Sequence, residues 1–355
     1  MTGRRPELRS TSVDVATFCT QSHVLVVAGK GGVGKTTMTA ALAAMAAGSG
    51  LRVLVVELEG KAGLSAAFGH REVLGYEERL LWGGSAARAG GAGARLEPHG
   101  AEAGTTASGG GSVRGRRLTP DDALVEYLED HGLGRVSRRL ARSGALDVVS
   151  TAIPGIKDIL VLGKIKQLER DRAADLVVVD APATGHAITF LTSAAGMVEA
   201  ARGGPLRHQA HDVVDLLSDP TRCRVVLVTV PEELPVSETI ESAYTLEDSA
   251  GVQLGPVIVN RCDPEPVGLT RPAAEVAGAA GATLPQSHLT ALEAARTFRL
   301  ARHAVSAQQV ERLARELPLP HLAVPDVAAD AVGPAETAAL AAALAGAVAG
   351  LEEAS

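Results

Sequence analysis

Short, β-branched apolar runs recur along the chain, each bounded by Gly, Pro or Asp: 23–28 (HVLVVA), 52–57 (RVLVVE), 175–180 (DLVVVD), 224–230 (RVVLVTV), 256–260 (PVIVN) and 321–325 (HLAVP). None alternates apolar with polar residues, so they read as strands buried on both faces. Between them lie alanine-rich or amphipathic stretches long enough for helices, such as Thr36 to Ala47 and Pro235 to Ala250. This alternation predicts an α/β fold, a doubly wound and mostly parallel sheet whose ligands sit at the carboxyl ends of the strands.

The pattern fails in three places. Residues 1–20 carry no apolar run of signal-peptide type and are predicted to be a flexible tail, with 21–355 forming one domain. The stretch Trp82 to Arg117 is dominated by Gly, Ala, Ser and Arg. It predicts a mobile insertion near 83–117, with a short strand near Arg95 to Glu97. The C-terminal ETAALAAALAGAVAGL is mostly alanine and too short to span a bilayer, so it reads as a packed terminal helix, and no stable membrane insertion is expected.

Composition narrows the function. With 355 residues, 46% of them hydrophobic, the chain can bury a large core. A formal net charge of -7 argues against a general nucleic-acid binder, which needs a basic face. Cys19, Cys223 and Cys262 lie far apart with no C-x-x-C pair, which predicts a reduced, cytoplasmic setting.

The chemistry concentrates after the first strand. Gly29, Lys30, Gly31, Gly32, Val33, Gly34, Lys35 and Thr36 fit G-x-x-x-x-G-K-[ST], followed by Thr37, between a predicted strand and a predicted helix. Glycines let backbone N–H groups converge on phosphate oxygens, Lys35 supplies a cation to the terminal phosphates, and the Thr36 hydroxyl can ligate magnesium. ATP with Mg2+ is the expected ligand pair. Asp180 ends a strand and can hold the magnesium shell through water.

Lys30, a second lysine within the loop, makes the stretch GKGGVGKTT resemble the deviant phosphate loop of the ArsA-like and MinD-like ATPases. In that family the early lysine crosses a dimer interface toward the partner's nucleotide, and the plainer reading is an exposed loop lysine. APATGH after Asp180 resembles switch II of the ArsA and tail-anchored-protein-targeting ATPases, through Asp180, Thr184, Gly185 and His186 with the Phe190-Leu191 that follows. LSAAF, 64–68, resembles the end of the family's switch I, and aligning through it puts Glu59 where the family usually has the aspartate that orients attacking water. Glu59 is thus a departure, longer by one methylene, or else an exposed loop carboxylate. Asn260 falls at the family's adenine-reading position, and its other reading is a strand-end turn residue.

The resemblance implies a dimer, either a homodimer or a heterodimer with a paralogous ATPase, that couples nucleotide state to a client. The thiol cluster of the arsenite pumps is absent, as are the methionine-rich helices and C-x-x-C clasp of the tail-anchored-protein carriers. Segments near 151–168 and 187–220 are the candidate client region, the latter with Arg202, Arg207, His208 and His211 among apolar residues. A small anionic ligand or a protein surface fits them better than a transmembrane helix. A regulatory nucleotide-binding subunit with little turnover, or a MinD/ParA-like positioning ATPase, is the alternative.

Overall fold

In a computed structural model of the chain, the described residues are 14–60, 62–83, 110–130 and 155–351. Eight strands form one sheet in the order β3-β4-β2-β5-β1-β6-β7-β8. They are β1 (Val24–Gly29), β2 (Arg52–Glu57), β3 (Arg79–Gly83), β4 (Ser112–Arg117), β5 (Leu176–Ala183), β6 (Cys223–Thr229), β7 (Val257–Cys262) and β8 (His321–Pro325). All neighbours pair in parallel except the edge strand β3, which runs antiparallel to β4. The six runs predicted as strands are six of the eight; in all but the edge strand β8, whose burial alternates, their continuous apolar character follows from cover on both faces.

One face is covered by α1 (Val15–Thr20), α2 (Lys35–Gly48), α3 (Gly63–Ala67) and the terminal helix α11 (Pro334–Ala349). Helix α11 is held at its start by the Glu336 carboxylate, which accepts from the Gly333 N–H at 2.9 Å, and by Thr337 Oγ1 donating to Ala67 O at 2.9 Å. The other face carries α4 (Pro120–Asp130), α5 (Ile156–Arg170), α6 (Thr184–Ala200), α7 (Pro205–Ser218) and α8 (Glu233–Ala250). Helices α9 (Ala273–Ala279) and α10 (Gln286–Glu316) follow β7. In α10, 31 residues long, only Gln309 and Leu313 are buried.

Two expectations are corrected. Part of the predicted tail is helical: Asp14 caps α1 by accepting from the Thr17 N–H at 3.2 Å, and Phe18 and Cys19 sink into the core under α11. The end of the predicted Gly-rich insertion, Ser112–Arg117, is strand β4, inside the sheet between β3 and β2. Its arginines hid it from a hydrophobic count. Val113 is fully buried, Gly115 leaves room for Leu74 and Leu81, Arg114 pairs with Glu78 at 2.8 Å, and Arg116 lies 4.4 Å over the Tyr76 ring. Burial pulls the Arg116 pKa below the usual guanidinium range. Trp82, taken as the insertion's first residue, belongs to β3. The strand expected at 95–97 and the first residues of the 151–168 segment lie outside the described residues.

Candidate functional site

The loop between β1 and α2 depends on backbone conformations that suit glycine. Gly32 and Gly34 have φ of 89° and 93°, and a side chain on Gly29 would collide with the Val228 backbone of the neighbouring strand. A Cβ on Gly31 or Gly32 would meet nothing within 4 Å, so that side of the loop is open to a ligand. The amides there and the first turn of α2 form a cradle for anionic oxygens. Lys35, 9% exposed, bends back so that Nζ donates to Lys30 O at 3.2 Å, which holds its ammonium over the loop.

Thr36, in the first turn of α2, donates through Oγ1 to Asp180 Oδ2 at 2.7 Å, while Thr39 Oγ1 lies 3.5 Å from Asp180 Oδ1. A hydroxyl and a carboxylate in contact beside a lysine form an all-oxygen donor set suited to a magnesium ion. The strand register puts Asp180 of β5 beside Glu57, the last residue of β2, and Glu57 beside Arg117, the last residue of β4. Glu59 follows in the loop after β2. It lines a cleft of about 220 Å³ together with Gly31, Gly32, Gly34, Lys35, Thr36, Thr37 and Asp180. The phosphate loop, both magnesium candidates and the switch-like carboxylate, widely separated in sequence, thus share one cavity.

A second cleft of about 750 Å³ meets the first at Gly34 and Thr37, and its walls include Asn260, Phe298, Arg302, Asp326 and Val327. Asn260 is buried, donates through Nδ2 to Val33 O at 2.8 Å, and accepts at Oδ1 from the Arg261 N–H at 2.9 Å. It therefore clamps the phosphate loop to β7. These two bonds leave one amide hydrogen and one carbonyl lone pair of Asn260 unused. Lys30 stands apart from the phosphate cleft, paired through Nζ with Glu238 Oε1 of α8 at 2.6 Å.

Sequence reasoning missed Glu238, Thr39 and Phe298. Glu57 carried a visible signal, an acid closing an otherwise apolar strand, whereas nothing in sequence joins Lys30 to a helix 208 residues away. His208 and His211 lie on α7 without further ligands, and among the described residues no group of three or more His, Cys, Asp or Glu could hold a metal ion. No helix among them is long and apolar enough to cross a membrane.

The family model of the CobQ/CobB/MinD/ParA nucleotide binding domain matches residues 24–318. The chain is 36% identical over 245 residues to the ATPase BagA of Mycobacterium tuberculosis, covering 66% of this chain and 64% of that one. It is equally similar to a putative ATPase of Mycobacterium bovis. An arsenical pump-driving ATPase of Escherichia coli is 29% identical over 261 residues, 72% of this chain and 38% of the relative. The match therefore spans less than two thirds of the length of each of these relatives. The loop geometry, the Thr36 to Asp180 contact and the match across 24–318 lead to one assignment: the chain belongs to the CobQ/CobB/MinD/ParA nucleotide-binding family, as an ArsA-like member.

Proposed function

We propose that this protein is an ATP-hydrolysing switch that works as a homodimer or with a paralogous ATPase. The observation that carries the reading is the 2.7 Å contact between Thr36 and Asp180 in the cleft that Lys35 and Glu59 also line. Thr36 and Asp180 would hold the magnesium ion, which would neutralise charge on the transferring phosphoryl group. The loop amides orient the phosphates, Lys35 balances their charge, and Glu59 orients the attacking water. In this reading Lys30 serves the partner's nucleotide and Asn260 also faces the base.

The nucleotide signal leaves through α6, which begins at Thr184 directly after β5 and leads through Ala201 to Gly204 into α7. Two cavities, of about 850 and 820 Å³, are lined jointly by the two segments expected to meet a client. One is polar, with Lys164 and Lys166 ion-paired to Glu126 and Asp212, beside Arg170 and His208. The other is walled by small residues such as Thr192, Ser193 and Gly196. A small anionic ligand or a protein surface suits them, and no nucleic acid or membrane enters the proposal.

The test is phosphate release from ATP with and without magnesium. Wild-type protein turns over only with magnesium, and Asp180→Asn loses about a hundredfold or more. Equal release by Asp180→Asn and wild type would end the reading. One observation favours a second reading, a regulatory subunit that binds ATP with little turnover: Glu59, rather than the family's usual aspartate, lines the phosphate cleft. That subunit would retain ATP unhydrolysed through a single-turnover experiment.

A further inference from the structure

Phe298 is the exposed member of the chain's four phenylalanines, with 65% of its surface open to solvent. Its position on α10 is anchored. Asp263, just past β7 and three residues after Asn260, has a side chain that is 5% exposed; its Oδ1 accepts a hydrogen bond from Arg299 Nη1 at 3.3 Å, and its Oδ2 is ion-paired with Arg302 Nε at 3.1 Å. These two ion pairs tie the stretch of α10 around Phe298 to the strand end that also carries Asn260. An otherwise solvated helix thereby lines the larger cleft through Phe298, Ala301, Arg302 and Val305, together with Val327 to Ala329.

That cleft opens from the phosphate cleft at Gly34 and Thr37. A nucleotide whose phosphates lie on the 29–36 loop therefore has its base and sugar directed past Thr37 toward Asn260 and α10. A large aromatic ring left in water carries a cost that a flat apolar partner removes, and a base offers such a face. We propose that Phe298 is the base-stacking residue of this protein. It sets affinity for the nucleoside part of the ligand, while Asp263, through Arg299 and Arg302, positions it. The inference rests on the ATP-binding reading above and adds to it a residue from α10, outside the phosphate loop and switch segments.

The test compares two probes on the full-length protein, magnesium-ATP and magnesium-tripolyphosphate, the second having phosphates and no base. Base–aromatic stacking of roughly 1–3 kcal/mol corresponds to about 5- to 150-fold in affinity. Phe298→Ala should weaken ATP by that span and leave tripolyphosphate unchanged. Phe298→Trp should restore ATP affinity, which bulk alone, supplied by Phe298→Leu, should not. Equal weakening of both probes, full ATP affinity in Phe298→Ala, or full rescue by leucine would each overturn the proposal. So would loss of self-association in Phe298→Ala at unchanged ATP affinity, which would assign the ring to an interface between copies. Failure of the wild-type protein to bind either probe would instead remove the nucleotide reading itself, and the stacking role with it.

Discussion

Lys30 and Glu238 form an ion pair within one chain, Nζ to Oε1 at 2.6 Å, with each side chain about a third exposed at 30% and 35%. The pair ties the loop's early lysine to α8 of the same chain. A lysine that serves a partner's nucleotide must first leave Glu238. At this exposure the pair contributes about 1 kcal/mol at most, so the barrier to release is small.

The first prediction follows from that relationship. Glu238→Ala should favour nucleotide-dependent dimer closure by up to about fivefold, read by sedimentation with a non-hydrolysable ATP analogue. Lys30→Ala should bind ATP normally and lose turnover. In a mixed dimer of Lys30→Ala and wild-type subunits, labelled separately, the wild-type subunit's site should fail. Failure of the mutant's own site would assign Lys30 to its own nucleotide.

Glu59 supports a second prediction. A carboxylate displaced by roughly an ångström can cost about a hundredfold in rate. Glu59→Asp, which shortens the side chain to the family's usual length, should raise single-turnover phosphate release by at least about tenfold with ATP affinity unchanged. Glu59→Gln should lower it. A slower Glu59→Asp variant would mean that Glu59 is already placed for its own chemistry.

The loop clamp can be tested through Gly34. A Cβ there would lie 2.5 Å from Asn260 Nδ2, and the residue's φ of 93° disfavours any side chain. Gly34→Ala should therefore break the bond from Asn260 to Val33 O and cost about 1–3 kcal/mol of stability, with ATP affinity down at least about tenfold. Calorimetry of unfolding and of ATP binding on the same variant checks both. Wild-type behaviour in both would remove the clamp from the account.

Much of this site was legible in the sequence because its chemistry is local. The loop from Gly29 to Thr36 encodes its own geometry, and Asp180 follows an unmistakable apolar run within β5. Strand β4 was not legible, because its stability comes from partners elsewhere: Glu78 and Tyr76 accommodate arginines that, in a linear count, resemble a solvated loop. The cap that orders α1 was readable at Asp14, but the burial of Phe18 depends on α11, more than 300 residues later. Asn260 lines the larger cleft, yet its bond to Val33 O, a long-range contact, could not be inferred from a strand-end asparagine.

The cysteines give a pH-dependent prediction. Burial pushes the Cys19 and Cys223 thiols up to about 12 from an ordinary 9.0, and burial also raises Cys262. Between pH 9.0 and about 12 the unfolded chain loses these protons and the folded chain keeps them. Their contribution to stability is thus complete below pH 9.0 and falls as pH rises toward 12. Cys223→Val should flatten part of that alkaline loss in denaturant titrations. At pH 8, Cys19 and Cys223 should resist a thiol reagent until the protein is unfolded. Rapid labelling of either in the native state would contradict their burial.

The central claim is that the Gly29 to Thr36 loop holds the phosphates of ATP, with Lys35 as their cation. Titration calorimetry of magnesium-ATP into wild-type protein and Lys35→Ala tests it most directly. Charge-assisted contacts of this kind contribute about 1.5–3 kcal/mol, so the account predicts measurable binding to wild type and affinity about tenfold to a hundredfold or more lower in the folded variant. Equal affinity of the two proteins for magnesium-ATP would contradict it.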